Sequence, residues 1–181
     1  MTACVALIRG INVGRARRIA MAELRELCTD EGWADVRTLL NSGNVVFRVA
    51  RPDTIRLARA AERAIAARFG FEVPVVVVTD RELAAVVAAN PLAEVADDPS
   101  RLLVAFFAGP GALETVRPLL DRAWAPEAMA LAADAAYLWC PAGIIASPLA
   151  KEFGRLTQET ATTRNWATVL KLQAALGPLR S

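Results

Sequence analysis

Histidine is absent from all 181 residues. Its absence removes the most frequent general base, the commonest metal ligand and every Ser-His or Cys-His pair of nucleophilic catalysis. Lysine is scarce: only Lys151 and Lys171 stand among twenty-one basic residues, the rest being arginine. In such a chain a lone arginine says little about a site, and a lysine stands out. Cys4, Cys28 and Cys140 are odd in number and far apart, which excludes a disulfide framework and a zinc spacing, so each is expected to be a small buried apolar side chain. No uninterrupted apolar run of about 18 residues occurs, and the opening MTACVALIRG has neither a basic n-region nor a long h-region. A cytoplasmic protein with no membrane partner is expected. There is no Walker motif and no Gly-x-Gly-x-x-Gly, and no carboxylate cluster in the polar segments demands a divalent ion. No cofactor is expected; the oligomeric state is left open.

What is present fits a packed globular protein, with 55% hydrophobic and 22% charged residues. The length suits one ordinary domain or two very small ones sharing a core. The net charge of +2 is unevenly spread. Residues 1–20 carry Arg9, Arg15, Arg17 and Arg18 with no acid, and residues 151–181 carry five bases against Glu152 and Glu159. The ends are basic and the middle is acidic, so ends that met in space would make a basic patch.

The run CVALIRG reads as a buried strand, and Met21, Leu24, Leu27 and Cys28 then recur at helical spacing before Gly32. VRTLL and VVFRV flank Asn41-Ser42-Gly43-Asn44, a turn-forming tetrad, and predict a hairpin. Pro52 and Asp53 open a helix with Ile55, Ala58, Ala61, Ile65 and Phe69 on one face, closed by Gly70, and VPVVVVT supplies a fourth strand. The order β-α-β-β-α-β over residues 3–79 is that of a ferredoxin-like split βαβ subdomain.

Asp80 is placed to cap a helix that ends at Asn90-Pro91, and PLAEVADDPS reads as a linker. RLLVAFFAG is a strand and ALETVRPLLDR is helical, with Pro118 breaking or kinking it. MALAA and AAYLWC form a hairpin around Asp134, Ser147-Pro148 opens another helix, and Thr162 or Thr163 caps a last one from Arg164 toward Leu176. The second half is thus β-α-β-β-α, with a closing helix in place of a clear final strand. The expected fold class is α+β, two tandem ferredoxin-like subdomains packed together: residues 1–79, a connecting helix and linker at 80–100, and 101–181 with the terminal helix.

Two segments hold more polar residues than packing needs. In RGINVGRARRIAM, Gly10 and Gly14 permit a loop that turns N–H groups inward, Asn12 is a short amide suited to it, and Arg15, Arg17 and Arg18 supply charge. An Arg-rich surface loop explains the same residues. In TTRNWATVLKL, Trp166, Val169, Leu172 and Leu176 form an apolar side, while Arg164, Thr168 and Lys171 share another at a helix N-terminus that favours an anion. A capped, solvated helix face is the plainer account. The Asn41–Asn44 tetrad also has a purely local explanation as a turn. Tyr137 and Trp139, with Phe106 or Phe107, would stack bases in an RNA-binding sheet, though aromatics of this kind more often fill a core. Ser147 and Lys151 resemble a nucleophile pair, but a capping serine already accounts for Ser147.

Taken together, LIRGINVG, IAMAELREL, LLNSGNVVF, VPVVVVT, YLWCPAG and TTRNWATVLKL resemble the domain of unknown function 1697 family across essentially the whole chain. The resemblance implies two ferredoxin-like subdomains and no established reaction or ligand. The family's characteristic polar residues fall on Arg9, Gly10, Asn12, Gly14, Ser42, Gly43, Asn44, Thr163, Arg164, Asn165, Trp166 and Lys171. RARRIA follows Gly14 where family members usually carry lysine-rich or glycine-containing loops, which keeps the charge and alters the loop.

The leading expectation is a binder of a phosphate-bearing ligand, nucleic acid or nucleotide, at a basic site between the subdomains. Its candidate residues are Arg9, Asn12, Gly14, Arg18, Ser42, Asn44, Arg164, Asn165 and Lys171. An enzyme acting on a small anionic substrate would use Arg164 and Lys171 as electrostatic stabilisers, Asn12 or Ser42 as orienters, and Glu23 or a lysine as base. In an interaction module without a ligand, the same polar side chains would be buried and bonded to one another.

Overall fold

A computed structural model describes residues 1–109 and 111–179. The chain divides into two compact units, Met1–Leu83 with the chain from Leu172 onward, and Ala84–Lys171.

The first unit contains β1 (Thr2–Ile8), α1 (Met21–Asp30), β2 (Ala34–Leu39), β3 (Asn44–Val49), α2 (Thr54–Phe69) and β4 (Val75–Thr79). Its strands lie in the order β2-β3-β1-β4, each antiparallel to its neighbours. Side chains alternate across a strand, so Cys4, Ala6 and Ile8 share one sheet face with Val45, Phe47 and Val49 and with Val75 and Val77. Leu24, Leu27 and Cys28 of α1 and Ala58, Ala61 and Ile65 of α2 close over that face. Trp33 stacks on Phe47 with ring centroids 3.8 Å apart. As the sequence predicts, Asp53 caps α2 by accepting from the Arg56 N–H at 3.0 Å, and Gly70 ends it at φ +78°. Ile55, expected on the buried face, is 46% exposed. The helix packs on the core from Leu57 onward, so Ile55 lies outside the contact.

α3 (Asp80–Ala89) starts one residue earlier than an Asp80 cap requires. The cap is Thr79: its Oγ1 accepts from the Glu82 N–H at 3.2 Å, and Glu82 Oε2 accepts from the Thr79 N–H at 2.7 Å. This reciprocal Thr-x-x-Glu box satisfies two groups that a lone Asp80 would leave open.

The second unit contains β5 (Leu102–Phe107), a 3-10 helix (Ala112–Asp121), β6 (Ala128–Ala132), β7 (Ala135–Trp139), α4 (Pro148–Thr157) and β8 (Ala161–Asn165). Its sheet order is β6-β7-β5-β8, again antiparallel throughout. Leu103, Ala105, Ala136, Leu138 and Ala161 face Val116 and Leu119 of the 3-10 helix and Leu149 and Phe153 of α4. Ser147 caps α4 as expected, its Oγ accepting from the Ala150 N–H at 2.9 Å.

Two expectations are corrected here. The closing strand is present, because Thr162 and Thr163 are β-branched and pair with Phe106 and Ala105 of β5. The last helix, α5 (Trp166–Leu176), therefore starts two residues after Arg164, and its cap is Asn165, whose Oδ1 accepts from the Thr168 N–H at 2.9 Å. Neither Thr162 nor Thr163 caps it. Val169, Leu172 and Leu176 are buried as their spacing predicts.

All three cysteines are free and buried. Burial pushes the Cys4 and Cys28 thiols up to about 12 and raises Cys140 as well. The thiolate is the reactive form, so a thiol-labelling reagent at neutral pH is expected to leave the native protein unmodified and to modify all three sites once it is denatured. Rapid labelling of the folded chain would contradict this burial.

Candidate functional site

Residues 9–20 leave β1 and reach α1 without a regular element. The path requires positive φ at Gly10 (+69°), Asn12 (+57°), Gly14 (+64°) and Arg17 (+53°). Such angles are ordinary for glycine and costly for arginine. Asn12 is held by its own amide: Nδ2 donates to Ile19 O at 2.9 Å and to Asn41 O at 3.0 Å, and Oδ1 accepts from the Ile19 N–H at 3.0 Å. Its backbone N–H donates to Arg17 O at 3.1 Å. One side chain thus closes the loop on itself and fastens it to the turn between β2 and β3. Ile11 and Ile19 sink both arms of the loop into the core of the unit.

The turn is as tightly placed. Gly43 sits at φ +77°, and a Cβ there would stand 2.7 Å from Ile8 O and 2.9 Å from Ile8 Cβ. The Ile8 N–H donates to Gly43 O at 2.8 Å, tying the end of β1 to the turn. Asn44 is fully buried, its Nδ2 donating to Leu39 O and Ser42 Oγ, each at 3.0 Å. Ser42 is exposed.

Arg15, Arg17 and Arg18 lie on the outside of this frame, all exposed. Arg18 Nη1 donates to Gly14 O at 3.1 Å, and Arg17 lies across Gly10, with Nη1 3.6 Å from where a Cβ would be. Among the described residues no carboxylate pairs with any of the three, as is also true of Arg51, Arg56 and Arg59, whereas Arg48, Arg68, Arg101, Arg117, Arg122 and Arg155 each reach one. Arg9 is half-buried, its backbone N–H donating to Pro74 O at 2.9 Å. Val13 in the loop and Leu40 in the turn are 73% and 50% exposed, Leu40 at φ +59°. Arg15 and Arg17, outside the candidate set drawn from the sequence, are as exposed as Arg18. None of the three is among the polar residues that the family resemblance marks, since all fall in the divergent RARRIA segment.

The candidates of the C-terminal segment have other neighbours. Arg164 lies in β8, half-buried, with Nη1 donating to Thr162 Oγ1 at 2.9 Å and Thr163 O at 2.8 Å, and burial pulls its guanidinium down to about 10. Asn165 is the cap of α5, and Lys171 is exposed on that helix. Elsewhere in the second unit, Tyr137, Trp139 and Phe106 share one face of the sheet through the register Leu102↔Trp139, Val104↔Tyr137 and Phe106↔Ala135. All three are buried, and the Tyr137 hydroxyl donates to Val86 O at 2.6 Å, so they offer no stacking platform. Ser147 is 2% exposed and engaged as a cap while Lys151 is exposed, so the two make no nucleophile pair.

Chemically, the loop presents cationic forks suited to phosphate or carboxylate on a frame fastened by the Asn12 amide. Glu23, which with the lysines is a candidate base in the enzymatic reading, is exposed in the first turn of α1. Among the described residues no group of His, Cys, Asp or Glu is placed to hold a metal ion, and no helix is long and apolar enough to cross a membrane.

Comparison with known proteins agrees with the fold and adds no ligand. No curated protein matches the chain significantly. Among solved structures, the conserved bacterial protein SP0830 from Streptococcus pneumoniae is similar over 97% of this chain and 98% of its own, with a TM-score of 0.81 at 22% identity. The family model described as "Protein of unknown function (DUF1697)" matches residues 1–137, most of the chain. With the RGINVG loop and the SGNVVF turn both inside the matched span, the chain belongs to that family.

Proposed function

We propose that residues 9–18, with the turn at 41–44, bind a phosphate-bearing ligand, nucleic acid or nucleotide. The observation that carries this reading is the set of three exposed arginines, Arg15, Arg17 and Arg18, without a carboxylate among the described residues, on a loop held by the Asn12 amide. Asn12, Gly43 and Asn44 build the frame; the arginines and the Ser42 hydroxyl face the ligand. Three of the seven non-glycine residues at positive φ among the described residues, Asn12, Arg17 and Leu40, lie in this loop and turn, and such backbone is found disproportionately at functional sites. Arg164 and Asn165 are engaged in their own unit, and the proposal does not require them. The strand orders β2-β3-β1-β4 and β6-β7-β5-β8 further support a ferredoxin-like arrangement in each unit, and the buried free thiols support a reducing, cytoplasmic location.

Thermal stability against nucleotides, sugar phosphates, short RNA and single-stranded DNA, at low and moderate salt, tests the reading. A ligand at about 100 times its dissociation constant adds roughly 2.7 kcal/mol, readily seen as a melting shift. Replacing Arg15, Arg17 and Arg18 together by alanine is expected to abolish that shift while leaving the unliganded melting temperature within about 2 °C, since exposed arginines without carboxylate partners contribute little to stability. For a nucleic acid the affinity should also fall steeply with salt. A shift that survives the triple substitution would refute the site.

A further inference from the structure

An open sheet edge is a template for another strand, and soluble proteins blunt theirs with charge, bulges or cover. Three of the four edges in this chain are blunted. β2 carries Asp35 and Arg37, and its register shifts between Ala34 and Arg37, with Asp35 at φ +53°. The edge of β4 is occupied by carboxylates: the Val75 N–H donates to Glu62 Oε1 at 2.9 Å and the Thr79 N–H to Glu82 Oε2 at 2.7 Å. β8 folds the Arg164 side chain back onto its own strand, Nη1 reaching Thr163 O at 2.8 Å.

β6 has neither charge nor a bulge. Its sequence is Ala-Met-Ala-Leu-Ala, without charge or proline, and its register with β7 runs unbroken from Ala128↔Trp139 to Ala132↔Ala135. All five residues are half-buried, and among the described residues no strand lies on the outer side.

We propose that β6 is a homodimerisation edge, pairing antiparallel with β6 of a second copy about a two-fold axis at Ala130. A two-fold interface must be complementary to itself, and this strand reads almost alike in both directions. Centred on Ala130, the pairing sets Ala128 opposite Ala132 and Met129 opposite Leu131 of the second copy. Small residues meet small ones on one face. On the other, Met129 and Leu131, already packed on the core of the unit, continue into the equivalent row of the second copy. This near-palindrome favours a second copy over an unrelated extended peptide, for which nothing in the strand selects. The pairing involves only five residues from each chain, so the dimer dissociates on dilution.

Sedimentation of the full chain over a dilution series tests this. The expected mass moves from twice 19.4 kDa toward 19.4 kDa as the protein is diluted. Ala130→Lys puts two lysines opposite each other at the axis and should give monomer at every concentration; Ala130→Glu should do the same. Mixing the two variants should restore the double-mass species, because each lysine then faces a glutamate. A wild-type monomer at the highest concentration would overturn the proposal, and so would a dimer that both variants leave intact. Amide exchange of the wild type gives an answer even where a variant fails to fold: residues 128–132 should be more protected at high concentration, and equal protection at both concentrations would overturn the pairing.

Discussion

Replacing Gly43 with alanine is expected to destabilise the protein by about 3 kcal/mol, the sum of a left-handed backbone penalty for a non-glycine residue and a typical overpacking cost. The φ of +77° accounts for the first contribution. The second comes from Ile8 O at 2.7 Å and Ile8 Cβ at 2.9 Å from the added methyl, with Ile11 Cδ1 at 3.1 Å. Neither Ile8 atom can move freely, since β1 is paired on both sides, with β3 and β4. For a protein of this size the change corresponds to a fall in melting temperature of roughly 6 to 12 °C. Gly14→Ala is the control: its φ is +64°, but nothing lies within 4 Å of the new Cβ, so only the backbone cost, about 1 kcal/mol, is expected. Equal losses at the two positions would mean that the approach of the turn to Ile8 contributes nothing.

Asn12→Ala removes three side-chain hydrogen bonds, two to carbonyls and one from a backbone N–H. At a net value of about 1 kcal/mol each, with partial recovery by water, the expected loss is about 2 kcal/mol. The more telling effect is local. Arg15, Arg17 and Arg18 are exposed trypsin sites on a held loop, and a protease cleaves a segment in proportion to how often it opens. Limited trypsin digestion should therefore cut within residues 15–18 much faster in Asn12→Ala than in wild type. Asn12→Asp keeps the acceptor for Ile19 N–H and loses the donors to Ile19 O and Asn41 O, so it should fall between the two. Cleavage at the wild-type rate in Asn12→Ala would show that the amide does not hold the loop.

Much of the fold was legible because its signals are local. The hairpin at residues 41–44, the Asp53 and Ser147 caps and the Gly70 stop are each set by a few adjacent residues. The closing strand was not, because Ala-Thr-Thr-Arg-Asn has no apolar run and its pairing with β5 lies more than fifty residues back in the sequence. Placing Arg164 at a helix start followed from that omission. In the candidate site the sequence marks the loop and its charge and offers Asn12 and Asn44 as ligand residues. It does not show that their amides fasten the loop and the turn, Asn12 through a carbonyl twenty-nine residues away, which no spacing rule reports. Gly43 was read as a turn glycine. Its approach to Ile8, which makes it hard to replace, is a tertiary fact.

The most direct test of the loop as a phosphate-binding surface is residue-resolved amide NMR during titration with inorganic pyrophosphate and, separately, a short single-stranded RNA. Shifts are expected to concentrate at Gly10, Gly14, Arg15, Arg17, Arg18 and Ser42, to saturate with ligand and to be lost in the triple arginine variant. Saturating shifts elsewhere with these amides unmoved, or no shifts with either ligand, would contradict it and leave the loop as a structural clasp.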